Sequence, residues 1–399
     1  MMSTPTTYPD YNRSPQPPQH DGMNRKAGEI AQIIRLGLNI GDTLEAFGPN
    51  AADIWQQNPR ITREFIRCIK AQGFDAVRLP ASWDHYADKS TALIEPKWLD
   101  RIAEVIGFCM EYDLYVVLNI HWDGGWIEDH VNAASAPTVM PRLRAIWQQI
   151  ATRLRDFDER LLLAGMNEPK VDSVEQMAVL MQYHQTFVDA VRSTGGRNAH
   201  RCLVLSGATT DIAKSVQWFD QMPADSAQDR LMLEVHYYTP WNFTGMAVDE
   251  DWAPCFHYWG RANHSTIDPS RNPTWGEEDA LAELFARMAA KARALGVPVL
   301  LGEYSARNRV YGLSGEAVPQ DIERHLASLD HYVETVTRHA RLHGMAPFYW
   351  DTGALLDRRF CTVRETRLLA ALLRGRDGAG SGSNSWPHAK ADRTMALGA

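Results

Sequence analysis

LLLAGMNEP (161–169) and VPVLLGEYS (297–305) share one design, a run of aliphatic residues that ends abruptly in a carboxylate, Glu168 in the first and Glu303 in the second. A strand that starts aliphatic and leaves polar suits a parallel sheet covered on both faces, with its chemistry at the carboxyl ends. Other segments have the same form: IIRLGLNIG (33–41), FDAVRLP (74–80), YVVLNIHW (115–122), RCLVLSGA (201–208), LMLEVHYY (231–238) and MAPFYWDTG (345–353). Between them, 61–72, 97–112, 139–156, 173–194, 211–219, 277–295, 320–343 and 365–374 carry apolar residues at three- and four-residue spacings, which predicts helices. Gly73, Gly195, Gly296 and Gly344 stand where glycines end such helices. Eight strand–helix pairs in series predict an α/β fold of the closed (β/α)8 TIM-barrel kind, a single catalytic domain over 30–375. A doubly wound open sheet would normally follow its first strand with a glycine-rich phosphate loop, and neither GxGxxG nor GxxxxGK[ST] occurs.

Outside that span, 1–29 reads as a disordered, proline-bearing leader and 376–399 as a flexible Gly/Ser-rich tail. No signal peptide is visible in the leader, and no apolar run approaches a membrane span. Lys+Arg of 41 against Asp+Glu of 49 leaves a net charge of −8, which argues against a nucleic-acid or membrane partner and for a neutral or polar substrate. The cysteines, Cys68, Cys109, Cys202, Cys255 and Cys361, lie far apart with no CxxC, so neither zinc nor a disulfide framework is indicated. Residues 240–276 read as a long loop.

In a barrel the strand ends converge on one face, so Asn39, Arg78, His121, Asn167, Glu168, His236, Tyr238, Glu303 and Trp350 are expected to share a pocket. Two facing carboxyl groups beside an acetal can break it, one protonating the leaving oxygen while the other attacks the anomeric carbon. Arg78 and Tyr238 favour Glu303 as the nucleophile, since both can hydrogen-bond its ionised form. Glu168 is then the acid that later turns base, its pKa expected to be raised by its negative partner, and Asn167 is placed to hydrogen-bond a sugar 2-hydroxyl.

The segments LGLNIGDTLEAFG, VRLPASW, NIHWDGGW, GMNEP, EVHYYTP, LGEYS and FYWD run through nearly all of 33–353. In that order they resemble the retaining barrel glycosidases, in particular the glycoside hydrolase family five cellulases. The resemblance implies an endo-β-1,4-glucanase working by double displacement, with Glu303 as nucleophile, Glu168 as acid/base and no cofactor. It implies a substrate-binding set of Arg78, His121, Asn167, His236, Tyr238 and Trp350, to which placement at the strand ends adds Asn39 and Trp122. The chain departs from the family pattern at Trp122, where many members carry a second histidine, and at Asp42, where Asn is common. Both departures bear on subsites and hence on which glucan is preferred.

Among the thirteen tryptophans, Trp83, Trp122, Trp126, Trp241, Trp252, Trp259, Trp275 and Trp350 fall in strand-end loops, where indoles can stack on sugar rings or simply fill core. The partner expected is a β-glucan polysaccharide; mixed-linkage glucan, xyloglucan or mannan are the alternatives on the same machinery, and a non-catalytic carbohydrate-binding protein is the alternative of another class. A metal site at His121, Asp123 and Glu168 ranks low, for a strand-one HxH is absent. A polymer substrate implies a secreted or periplasmic enzyme, and a monomer is expected.

Overall fold

In the computed structural model, which describes residues 7–46, 59–311 and 317–378, eight parallel strands close into a barrel. The strands are β1 (Gly37–Ile40), β2 (Ala76–Leu79), β3 (Tyr115–Asn119), β4 (Leu161–Ala164), β5 (Leu203–Asp211), β6 (Leu231–His236), β7 (Val299–Tyr304) and β8 (Ala346–Asp351), with β8 paired back onto β1. The helices that cover them are α1 (Arg63–Ala71), α2 (Pro96–Glu111), α3 (Ala136–Leu154), α4 (Val174–Ser193), α5 (Ile212–Trp218), α6 (Glu278–Leu295), α7 (Ile322–Leu342) and α8 (Thr366–Asp377). The architecture is the (β/α)8 barrel expected from the sequence.

Local chemistry sets the helix ends. Thr62, Ser173, Asp211 and Asp321 accept a hydrogen bond from the backbone N–H three residues on, supplying partners that the first turn lacks. Gly296 ends α6 at φ 72°, a left-handed conformation that costs glycine nothing.

Two apolar layers result. Strand residues pointing outward pack against the helices, whereas Val117, Leu162, Val204, Met232, Leu300 and Phe348 fill the barrel. Gly37 on β1 makes room for Phe348, whose ring would lie 2.2 Å from any Cβ there.

The inner layer is closed from below by residues expected to be disordered. Within 7–29 the chain pairs Gln16–Pro18 with Gly195–Gly196 and enters the helix Ala27–Ile33, whose Ile30 and Ala31 plug the barrel floor. Gly195 thus does more than end a helix, for a Cβ there would meet the Gln16 carbonyl oxygen at 1.7 Å. The leader reading fails because its polar residues satisfy the barrel base: Arg230 Nη2 donates to Met23 O at 2.7 Å, and Tyr11 OH to Thr91 O at 2.8 Å. Of the expected tail, Arg376 and Asp377 continue α8; residues 379–399 lie outside the described residues.

Buried Arg201, just before β5, ties the floor together. Its Nη1 donates to Asp158 O and Leu161 O at 2.9 and 2.8 Å, its Nη2 to Phe157 O at 2.6 Å, and its Nε to Asn198 Oδ1 at 2.7 Å. Arg201→Met would take the guanidinium from Leu161 O, Phe157 O and Asn198 Oδ1, while Asp158 O keeps the Leu161 N–H. We expect a loss of about 3 kcal/mol, read as a lowered Tm by circular dichroism, with activity retained well below the transition.

Candidate active site

Strand register, rather than any single loop, assembles the site. Trp350 on β8 pairs with Asn39 on β1, and Asn39 with Arg78 on β2; across the barrel His236 on β6 pairs with Glu303 on β7. Each of these residues is therefore the last or the next-to-last of its strand, at the end where the barrel opens.

Arg78 is the hub. Fully buried, it donates from Nη1 to Glu303 Oε1 at 2.7 Å and to Asn39 Oδ1 at 3.0 Å, and from Nη2 to Asn167 Oδ1 at 2.7 Å. Its Nε lies 2.8 Å from Glu234 Oε1. Tyr238 OH donates to the other oxygen of Glu303 at 3.0 Å. Glu303 is thus held at both oxygens, and Asn167 is fixed with its carbonyl on the guanidinium.

Glu168 is held differently. Its side chain is 39% exposed, and His236 Nδ1 lies 2.7 Å from its Oε1 and 3.7 Å from Glu303 Oε2. An oxygen of Glu168, an oxygen of Glu303 and a nitrogen of His236 fall within 4.8 Å of one another. Among the described residues this is the one group of its kind with spacing that a cation could also use.

The two histidines expected at the site differ in charge. Burial works against the His236 cation, but Glu303, Glu168 and Glu234 around it push its pKa up to about 10. His121 is drawn well below the usual range by burial and by the nearby Arg78 and His236 charges, so it is a neutral imidazole, stacked on Trp350 at 5.4 Å.

The carboxyl pKa directions reverse the sequence expectation. Burial lifts Glu303 above the ordinary range despite His236 and Arg78. Burial also acts to raise Glu168, yet the hydrogen bond and charge of His236, with Arg78, hold it below that range. Its negative partner does not dominate, because an imidazolium sits between the two carboxylates.

Other expectations divide. Asn39 and Arg78 are sealed beneath the pocket as supports and do not face a ligand; Asn39 Nδ2 donates to Gly302 O at 2.8 Å. Tyr238, Trp350, Glu168 and Glu303 do line a cavity of about 1120 Å³, together with Trp241. Trp83 and Trp259 are core, their indole N–H groups spent on Asn119 O and Gly276 O, both at 2.9 Å. Trp122, Trp241, Trp252 and Trp275 are exposed. Asp42 adopts φ 54°, a left-handed position that Asp and Asn both tolerate, so that departure is conformationally neutral.

Glu234 escaped the sequence reading. It lies within a strand, two residues before His236, where alternation puts both side chains on the barrel's inner face; that parity was the available signal. It balances Arg78 and His236, the latter through Nε2 at 3.2 Å. Gly302 permits it, since a Cβ there would lie 2.0 Å from Glu234 Oε1.

A closed barrel with two carboxylates this close at its strand ends defines the class of retaining glycosidases. Residues 39–354 match the family described as cellulase (glycosyl hydrolase family 5), and the chain belongs to that family and is a glycoside hydrolase. It is 35% identical over 377 residues to a xyloglucan-specific endo-β-1,4-glucanase of Bacteroides ovatus, covering 90% of this chain and 72% of the relative. It is 32% identical over 386 residues to endoglucanase A of Paenibacillus barcinonensis, covering 89% and 91%. Among solved structures, a family 5 xyloglucan-specific β-1,4-glucanase from a ruminal metagenomic library, in complex with XXLG, superposes with a TM-score of 0.81 at 34% identity, covering 92% of this chain and 99% of that one.

His236→Gln removes the cation between the two carboxylates, so the pKa of each rises. The whole bell of kcat/KM against pH should move to higher pH, and an unmoved profile would show that the imidazole carries no charge.

Proposed function

We propose that this enzyme is an endo-β-1,4-glucanase that cleaves with retention, Glu303 attacking the anomeric carbon and Glu168 serving as acid and then base. The separation of the carboxylates carries the reading, since oxygens within 4.8 Å leave no room for the water that an inverting enzyme places between acetal and base. The difference in their surroundings supports the roles. A nucleophile must be aimed, and Glu303 has a donor on each oxygen that fixes its orientation. An acid/base must meet both leaving group and water, and Glu168 is the half-exposed member of the pair.

Glu168 needs a proton for the first step, and His236 holds one 2.7 Å away. Sugar seated over the pair excludes water from Glu168. The ion pair then sits in a medium of lower dielectric, where transfer to give neutral imidazole and carboxylic acid becomes favourable. As the aglycone leaves, Glu168 gives up that proton, and as base it recovers one from the incoming water. Asn167, locked by Arg78 through its carbonyl, is left with its amide N–H groups for the 2-hydroxyl, a contact that strengthens as positive charge develops at C1.

A second reading, a preference for xyloglucan, is supported by an apolar extension of the cavity, which runs from the carboxylates beside Trp350 to Leu326, Leu329 and Val333 of α7 and Leu368 of α8 and offers a surface on which a branch sugar could rest. Relatives named for xyloglucan share this barrel. A polymer substrate, which does not cross a membrane, supports a secreted or periplasmic enzyme.

Glu303→Gln and Glu168→Gln should each lower kcat on carboxymethylcellulose by a factor on the order of 10³ or more with the circular dichroism unchanged. Azide should restore turnover of Glu168→Ala on an activated aryl β-glycoside with a β-glycosyl azide as product, whereas azide-dependent turnover of Glu303→Ala should give the inverted α-glycosyl azide. Wild-type rates in either Gln variant would overturn the roles, and a kcat/KM on xyloglucan no higher than on carboxymethylcellulose or mixed-linkage glucan would overturn the preference.

A further inference from the structure

Glu128, in the loop after β3, is a buried carboxylate to which neither mechanism nor motif gives a task. Its Oε1 accepts the backbone N–H of Glu168 at 2.9 Å. The Glu128 carbonyl takes the N–H of Lys170 at 3.0 Å, so the whole 168–170 turn is tied to this one residue.

The loop that carries Glu128 is strained where it begins, at Trp122. Trp122 has φ 43°, Asp123 φ 53°, Gly124 φ 76° and Gly125 φ 73°, four consecutive left-handed residues of which the first is a bulky tryptophan, half exposed. Such a backbone persists only where its surroundings over-determine it. Asp123 supplies part of the restraint, accepting from Trp83 N at 2.9 Å and Trp126 Nε1 at 3.0 Å, and Glu128 supplies the link to β4.

We infer that Glu128 is a positioning residue which locks the loop bearing the Trp122 indole to the backbone of Glu168, so that the acid/base and an exposed aromatic beside it keep one fixed geometry. The inference rests on Glu168 being the acid/base. Geometry is its ground, and charge adds a second consequence. The charged groups facing Glu128 are Glu168 and Glu303, and Lys170, itself paired with Asp129. Burial, then the two carboxylates, pushes the Glu128 carboxyl up to about 7. Above that pH its negative charge opposes ionisation of Glu168 and prolongs its acid form.

The test compares Glu128→Gln, which keeps an acceptor and loses the charge, with Glu128→Ala, which loses both. The Gln variant should keep kcat at its optimum within about twofold while the alkaline limb moves to lower pH by roughly half a unit or more. The Ala variant should lose kcat by about tenfold or more, most on glycosides with poor leaving groups, and Trp122→Ala should add little to that loss because the loop is already released. Glu168→Ala is the reference. If it shows no dependence on leaving group, the acid/base assignment falls. If it does and Glu128→Ala loses only thermal stability, the positioning role alone falls. Should Glu128→Ala fail to fold, the Gln variant decides, an unmoved alkaline limb overturning the role.

Discussion

The burial of the Arg78 guanidinium beneath the pocket is the constraint on which the rest depends. A cation fully removed from water is tolerable only if nearly every N–H finds an acceptor and its charge a counter-charge. Arg78 meets that demand with Glu303, Glu234, Asn39 and Asn167, drawn from β7, β6, β1 and the end of β4. One side chain thus fixes the relative positions of four strand ends, and the precision of the site follows from the cost of leaving that charge unpaired.

The cluster is not neutral. Two cations, Arg78 and His236, face three carboxylates, Glu168, Glu234 and Glu303, which leaves one negative charge in excess when all are ionised. Glycosylation leaves that total unchanged: Glu303 loses its charge to the ester, while the proton given to the leaving oxygen leaves the His236–Glu168 pair one positive charge poorer. The reaction therefore moves negative charge from Glu303 to Glu168, where it is exposed to solvent and able to act as base.

Much of this was legible in the sequence because strand parity and strand-end polarity are one-dimensional signals. Aliphatic runs ending in Glu168 and Glu303 needed no tertiary information, and their joint placement followed once eight such runs closed into a barrel. What escaped depends on contacts between distant segments. Glu128 looks like any loop acid until its carboxylate is seen on the N–H of a residue 40 positions away. The 7–29 segment looks disordered because the contacts that order it lie far away in sequence, on Gly195–Gly196, Arg230 and Glu159. Trp83 and Trp259 could not be told from stacking platforms, since an indole in a loop reads alike whether it faces sugar or core.

The pKa of Glu168 shows most clearly how a site-level property outruns pairwise reasoning. Two carboxylates considered alone repel, and the one with fewer hydrogen bonds should hold a proton. His236 reverses that order because its ring bridges Glu168 and Glu234 through its two nitrogens and lies within reach of Glu303. The proton that repulsion would have placed on the acid is parked on the imidazole next to it. A resting state of this kind keeps Glu168 ready as a base yet one short transfer from being an acid, which is what a residue that must play both parts in one cycle requires. Glu234, which neither faces the cavity nor touches sugar in this scheme, makes that possible by adding the third negative charge that holds His236 protonated, and the missing side chain of Gly302 is what lets it stand there.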